Sequence, residues 1–236
     1  MTPKAVLFDF SATLFDDTAV LRPWRLARCA ATRGRTLGIA EAGNLCRSMM
    51  SAVDSPAGRA AREGADRSSA LHRRIWVDLA ARAQGADRVL AEAFYECATT
   101  PEFWPPFPDT AQVLTSMFRH GVPVGVVSNI AWDIRRTFAH AGLDGFVRTF
   151  VLSCEHGMVK PDAGLFTVAC RELGVAERET LMVGDDPLCD GGAVAVGMPV
   201  LLLPARRGQG ERGLAQVLRL LRISEAVAAQ PEEASG

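Results

Sequence analysis

Lysine is nearly missing from this sequence: of 26 basic residues only Lys4 and Lys160 are lysines, and the rest are arginines. Any chemistry that needs an amine must use one of those two. Aromatic residues make up only 7% of the chain, and no window approaches the roughly 18 consecutive apolar residues of a membrane helix. Charge of one sign is also lacking, because 26 basic residues meet 27 acidic ones for a formal net charge of −1. A near-neutral chain carries no electrostatic footprint for nucleic acid, so neither nucleic acid nor a membrane is expected as a partner. The six cysteines (Cys29, Cys46, Cys97, Cys154, Cys170, Cys189) form no Cys-x-x-Cys pair and have no histidine at metal-ligand spacing. That pattern suits buried thiols in a reducing compartment better than disulfides or a zinc site. No secretory leader is expected either: Met1-Thr-Pro-Lys4 runs into the short apolar stretch Ala5–Phe8 with no small-residue cleavage site after it, so a cytoplasmic location is expected.

What is present is an alternation of strands and helices. Short apolar runs at 5–9, 122–127, 149–153, 180–183 and 199–203 read as buried strands. Helical patterns at 110–120, 132–141, 163–173 and 190–197 separate the later ones. The first of these has Asp109 as a candidate cap and Gly121 as its stop. Strand, helix, strand, helix predicts an α/β fold with a doubly wound parallel sheet.

The alternation stops between Asp16 and about Trp104. An Ala- and Arg-rich stretch there carries patterns of three to five helices and no convincing strand, which marks an α-helical insertion. The return segment Thr100-Pro-Glu-Phe-Trp-Pro-Pro-Phe-Pro108 is expected to be a stiff connector outside either core. The expected organisation is a Rossmann-like core of residues 1–15 and 105–223, an insertion at 16–104, and a frayed tail at 224–236. Counted by charge, the insertion has 13 Arg and 11 Asp plus Glu, a net of +2, which leaves −3 for the remainder. A cationic layer over an acidic base suits an anionic substrate held with a cation.

In open parallel sheets, ligands bind beyond the carboxyl ends of the strands. The polar residues predicted there are Asp9 with Ser11 and Thr13 after the first strand, Ser128-Asn129 after the second, Lys160 after the third, and Asp185-Asp186 with Asp190 after the fourth. Each alone reads as turn or cap chemistry. Together, an acid, hydroxyls, an amine and an acid pair reach one rim from four separate strands.

In this order the motifs Asp9-Phe-Ser-Ala-Thr13-Leu14, Ser128-Asn129, Lys160-Pro161 and Gly184-Asp185-Asp186-Pro-Leu-Cys-Asp190 resemble the haloacid dehalogenase superfamily, in the group with a helical cap inserted just after the first motif. The resemblance spans residues 4–204. It implies a Rossmann-like core and Asp9 as a nucleophile that forms an aspartyl phosphate. It further implies Mg²⁺ held by Asp9, the Ser11 carbonyl and Asp185, with Asp186 and Asp190 completing the site. Thr13 or Ser128 would donate to the phosphoryl oxygens, Asn129 would stand beside them, and Lys160 would neutralise both Asp9 and the transferring group.

One departure matters. Phosphatases of this family carry a second Asp two residues after the nucleophile, and here that residue is Ser11. A hydroxyl cannot serve as the proton donor and return base, a function worth typically 10² to 10⁴ in rate. The phosphonate-cleaving branch, which needs a cap lysine, is excluded because neither Lys4 nor Lys160 lies in the insertion. The 2-haloacid dehalogenases use no metal and lack an Asp at the position of Asp185, so the intact Gly184-Asp185-Asp186 favours a Mg²⁺-dependent phosphoryl-transfer hydrolase acting on a small phosphorylated metabolite. A dehalogenase-like hydrolase and a non-catalytic binder of a phosphorylated ligand are the alternatives. Without the acid, either the leaving group departs unprotonated, as from an acyl, enol or aryl phosphate, or another group reaches in. Asp16, Asp17 and His72 are candidates by location. Arg22 and Arg25, on a basic stripe with Arg28, are candidate substrate contacts, and Trp76, Phe94 and Tyr95 are expected in the core of the insertion. The oligomeric state is not legible.

Overall fold

A computed structural model of the chain describes residues 2–204 and 210–223. Its sheet has five parallel strands: β1 (Ala5–Phe8), β2 (Val124–Ser128), β3 (Thr149–Leu152), β4 (Thr180–Gly184) and β5 (Val200–Leu202). They lie in the order β3-β2-β1-β4-β5. β1 is central, with Val6 opposite both Val124 and Leu181. All four of its residues are fully buried, Val6 and Phe8 in one apolar cluster and Ala5 and Leu7 in another. A strand covered on both faces needs apolar side chains at every position, which is why it reads as an unbroken run. β2 starts later than predicted because the Val122 N–H is bonded to the Met117 carbonyl, which closes the preceding helix, so the ladder begins at Val124.

Between β1 and β2 the chain forms the predicted helical insertion: α1 (Pro23–Ala31), α2 (Ile39–Val53), α3 (Pro56–Arg62), α4 (Ser69–Ala80) and α5 (Arg88–Thr99). The starts follow local chemistry. Proline opens α1 and α3, where a missing N–H costs nothing. Ser55, Ser68 and Asp87 accept N–H bonds from Gly58, Leu71 and Leu90 at the starts of α3, α4 and α5. Helices α1, α2, α4 and α5 pack in a closed ring of contacts around Leu26, Met49 and Phe94. The expected placement of Phe94 and Tyr95 in this core holds, and Trp76 is packed against it half-buried.

The Pro-rich return is not the bare connector expected from the sequence. It runs antiparallel to the outgoing chain, with Asp16 N–H donating to Pro105 O at 2.9 Å and Phe107 N–H to Leu14 O at 3.0 Å. Phe103, Trp104 and Phe107 are buried. Trp104 packs on Phe10 at 4.9 Å between ring centroids, and Phe15 packs on Phe138 at 4.8 Å. The prolines stiffen the path while the rings between them fill the seam, so one apolar cluster continues from the sheet into the insertion.

After the return segment the fold resumes as predicted. α6 (Thr110–Arg119) and α7 (Arg135–His140) cover the face of Val6 and Phe8, and α8 (Ser153–His156) is a single turn after β3. α9 (Ala163–Leu173) covers the other face, and α10 (Ala215–Leu220) joins α6 on the first. α7 starts three residues later than expected because Asp133 accepts the Arg135 N–H at 3.0 Å. The segment Asp190–Val196 is a 3₁₀ helix rather than an α-helix, consistent with the poor helix propensity of Gly191-Gly192. The tail at 224–236 lies outside the described residues.

Asp109 is not the side-chain cap of α6 that the sequence suggests. Its carboxylate accepts the N–H groups of Arg212, Gly213 and Leu214 at 2.9, 2.8 and 2.8 Å, fastening the segment after β5 to the start of α6. An anion with three donors to satisfy outcompetes the exposed turn of its own helix. Asp109→Ala should lower the unfolding free energy by about 2–3 kcal/mol, the cost of leaving buried donors without a charged acceptor. Asp109→Asn, which keeps one acceptor oxygen, should lose clearly less. Urea denaturation gives both values, and equal losses would show that the N–H bonds are not the source of the effect.

Candidate active site

The carboxyl ends of the strands converge on a cavity of about 210 Å³ lined by Asp9, Ser11, Ser128, Lys160, Asp185 and Asp190, among others. Asp9 follows β1 directly, Ser128 ends β2, and Asp185 follows β4. Lys160 arrives from the loop before α9, and its backbone is clasped by Asn129: the Asn129 side chain accepts the Lys160 N–H at 2.7 Å and donates to its carbonyl at 3.0 Å. Asn129 thus positions the lysine.

The Lys160 ammonium is buried and lies 2.7 Å from Asp9 Oδ1 and 2.6 Å from Asp190 Oδ1. Asp190 is completely buried, and its Oδ2 accepts the N–H groups of both Asp185 and Asp186 at 3.0 Å. One oxygen of Asp190 therefore orients the amine, and the other orients the loop that presents Asp185. Burial raises the Asp9 pKa, Lys160 opposes that rise, and the Asp190 charge adds to it. The lysine pKa is raised: burial alone would lower it, but the two carboxylates outweigh burial. Asp185 is pushed up to about 6 by burial and by the charges of Asp9 and Asp190. Ligand oxygens of Asp9, Asp185 and Asp190 lie within 4.8 Å of one another. An all-oxygen set with more negative charge than one ammonium balances fits a hard cation.

β4 makes room for this arrangement by ending in glycine. A Cβ on Gly184 would lie 2.1 Å from Asp190 Oδ2, so any larger residue would displace the carboxylate. Ala12, in the loop after Asp9, adopts φ 55°, a left-handed turn uncommon for a residue with a Cβ. The loop is held from outside the motif: the buried Arg212 donates to the carbonyls of Ala12 and Pro204. Arg212 was not singled out from the sequence. An arginine in a loop beyond the last strand carries no signal of its own, and the Asp109 contact that places it spans the whole core.

Several predicted site residues are placed differently. Thr13 is fully buried and its hydroxyl donates to Asp185 Oδ1 at 3.4 Å, so it supports an acid instead of facing the cavity. Asp186 lines the rim, but its Oδ1 accepts the N–H groups of Leu188 and Cys189 at 2.7 and 3.1 Å, and it is not part of the carboxylate cluster. These bonds outweigh burial and lower its pKa. Arg22 is exposed, and Arg25 donates to the carbonyls of Ala19 and Phe103 while its guanidinium lies 4.6 Å from the Phe103 ring centroid. Neither lines the cavity. Of the candidates for a replacement acid, Asp16 is buried and engaged with Thr18, whereas Asp17 lines the cavity.

A second cavity, of about 350 Å³, adjoins the first and shares Ser11, Asp17 and Asn129 with it. It lies between insertion and sheet, where the Ser153 hydroxyl donates to the Asp66 carbonyl at 2.7 Å. His72 is in its wall, with Nδ1 3.0 Å from the Tyr95 hydroxyl.

A family model for haloacid dehalogenase-like hydrolases matches residues 3–195, and the chain belongs to that family. Among curated proteins, the phosphoserine phosphatase of Thermus thermophilus is 35% identical over 104 residues, covering 44% of this chain and 41% of that protein. The chain therefore spans less than half the length of that relative. Among solved structures, a HAD phosphatase from Thermococcus onnurineus superposes with a TM-score of 0.60 at 20% identity, over 94% of this chain and 100% of the other. The L-2-haloacid dehalogenase of Xanthobacter autotrophicus gives 0.60 at 21% identity over 95% and 84%. These two structures agree with the chain in fold.

Gly184→Ala should leave a folded protein with hydrolase turnover reduced by about a hundredfold, the order expected for misplacing a reacting group by about 1 Å. Circular dichroism with a turnover assay checks it. Parent-level turnover in a folded variant would show that the position of Asp190 does not matter.

Proposed function

We propose that this chain is a Mg²⁺-dependent phosphoryl-transfer hydrolase that acts on a small phosphorylated metabolite through an aspartyl phosphate on Asp9. The observation that carries this reading is the single buried ammonium of Lys160 held between Asp9 and Asp190, with the Asp185 carboxylate in reach of both acids. Likeness to a protein named phosphoserine phosphatase supports the phosphoryl reading.

Asp9 attacks phosphorus with one carboxylate oxygen, the P–O bond to the leaving group breaks, and that oxygen takes the electron pair. Water then attacks the phosphorus of the acyl phosphate and returns the carboxylate. Lys160 and Ser128 stand where they can offset charge on the transferring oxygens. Asp9, Asp185 and the Ser11 carbonyl would hold the metal, with Asp190 behind them. Bound Mg²⁺ supplies positive charge that lowers the repulsion between carboxylate and phosphoryl group. Residues 16–104 act as a cap over the core of residues 1–15 and 105–223.

The first test is a screen of phosphate esters, acyl phosphates and 2-haloacids with Mg²⁺ or EDTA, in the parent and in Asp9→Asn. Phosphate release should require Mg²⁺ and fall by several orders of magnitude in Asp9→Asn, as is usual for loss of a nucleophile. Halide release in EDTA would instead place the activity with the dehalogenases.

Ser11→Asp probes the missing proton donor. Hydrolysis of alkyl phosphates should rise at least about tenfold, within the range that general acid catalysis contributes, while aryl phosphates gain much less in the first step. The measurement is the rate for one alkyl and one aryl phosphate in parent and variant. No gain for either, with fold intact and metal bound, would mean that proton transfer does not limit the parent.

A further inference from the structure

The larger cavity bears on what the leaving group is. Its wall carries Trp76, Trp104, Trp132 and the imidazole of His72. These rings form a continuous surface: His72 lies 5.2 Å from Trp76 and 5.7 Å from Trp132, and Trp132 lies 6.0 Å from Trp104, centroid to centroid. Leu21 and Met50 add to the apolar wall. At about 350 Å³ the cavity is near the low end of the roughly 300–1,000 Å³ of small-ligand sites, room for one compact body.

Several polar groups in this wall are already engaged. The Trp104 indole N–H donates to the Ala98 carbonyl at 2.9 Å. His72 Nδ1 pairs with Tyr95, and its Nε2 lies 3.5 Å from Asp66. Arg62 donates to Val53 O and Asp54 and lies 5.1 Å from the Trp76 ring centroid. A sugar or other polyol needs several free donors and acceptors, and the wall offers few. The buried indole N–H of Trp132 has no acceptor among the described residues. Burial pushes the Asp66 carboxyl up to about 6, so near neutral pH it is mainly a carboxylate that repels a second anionic group on the substrate.

Ser11, at the junction of the two cavities, provides the independent observation. With a hydroxyl where the acid would stand, the leaving oxygen departs without a proton, and departure is easiest for an oxygen whose conjugate acid is already acidic. A phenol, near pKa 10 as in tyrosine, meets that condition, and a simple alcohol does not.

We infer that the substrate is an aryl phosphate monoester, its phosphoryl group at Asp9 and its aromatic ring against Trp76, Trp104 and Trp132. This rests on the phosphoryl-transfer reading above and adds the class of the leaving group. In the balanced step the aryl oxygen leaves as a phenolate while its phosphorus passes to Asp9.

The test measures kcat/KM with Mg²⁺ for 2-naphthyl phosphate, glycerol 1-phosphate, glucose 6-phosphate and acetyl phosphate in the parent and in Trp76→Leu. It adds equilibrium binding of the non-hydrolysable 2-naphthylmethylphosphonate, followed by tryptophan fluorescence. In the parent, naphthyl phosphate should exceed both alkyl phosphates by at least about a hundredfold, the range of a missing proton transfer. Trp76→Leu should lower the ratio of naphthyl to acetyl phosphate kcat/KM by roughly tenfold and weaken phosphonate binding to match, as loss of one aromatic wall predicts. Because Trp76 could also support the fold, Trp132→Phe serves as the milder variant and should shift the same ratio in the same direction. Acetyl phosphate turnover with a preference for either alkyl phosphate, or an unchanged ratio in both variants, overturns the aryl assignment and leaves the phosphoryl-transfer reading standing. No turnover of any phosphate overturns that reading, and the assignment with it.

Discussion

The Lys160 ammonium between Asp9 and Asp190 is the constraint around which the rest of the site is arranged. Bringing an amine and two carboxylates out of water costs several kcal/mol per ion, and their attraction offsets that only when the geometry is tight and the remaining oxygens are bonded. Both conditions are met: the contacts are 2.7 and 2.6 Å, and the far oxygen of Asp190 accepts two backbone N–H groups. The arrangement still has a surplus of negative charge once Asp185 is added, and burial together with that surplus raises the Asp185 pKa. In the proposed reading, a site built this way attracts a cation on one side and a phosphoryl group on the other.

Holding that geometry requires parts of the chain far apart in sequence. β1 and β4 are adjacent, so Asp9 and Asp185 arrive side by side. β2 contributes Asn129, which grips the backbone on both sides of Lys160. Gly184 leaves the space that Asp190 fills. From the far end, Asp109 fixes the segment 212–214, and Arg212 in that segment holds the carbonyl of Ala12 in the loop after Asp9. The loop after Asp9 is thus braced from behind, which accounts for a left-handed turn at an alanine.

What the sequence disclosed follows from the range of the forces involved. Fully buried parallel strands print themselves as apolar runs, and a parallel sheet puts the polar residues that follow them on one edge, so Asp9, Ser128, Lys160 and Asp185 could be placed together before any coordinates. Boundaries and single roles were less legible because they depend on competition. Asp109 had a local N–H to cap and a distant set that binds it better. Asp186 was expected to complete the site beside Asp185, but the turn after it engages its oxygen. Arg25 sat on a basic stripe whose direction could not be read, and it folds back onto the carbonyls of Ala19 and Phe103. The tryptophan-lined cavity was illegible for the same reason, since Trp76, Trp104 and Trp132 come from three separate segments and meet only when the insertion closes on the sheet.

Within the proposed reading, the site separates two tasks that a phosphatase with a second Asp combines. Charge stabilisation of the transferring group is fully provided for, by Lys160, Ser128 and the metal-binding acids. Proton management of the leaving oxygen is not, because Ser11 cannot supply it. Specificity then has two filters in series: the cavity selects a shape, and the absence of an acid selects a leaving group. A phosphate ester that passes only the first filter binds but is cleaved slowly, so a well-fitting alkyl phosphate is a poor substrate that competes with a faster one. Binding energy gained in the larger cavity cannot compensate for the missing proton, because it is present equally before and during bond cleavage and leaves the chemical barrier unchanged.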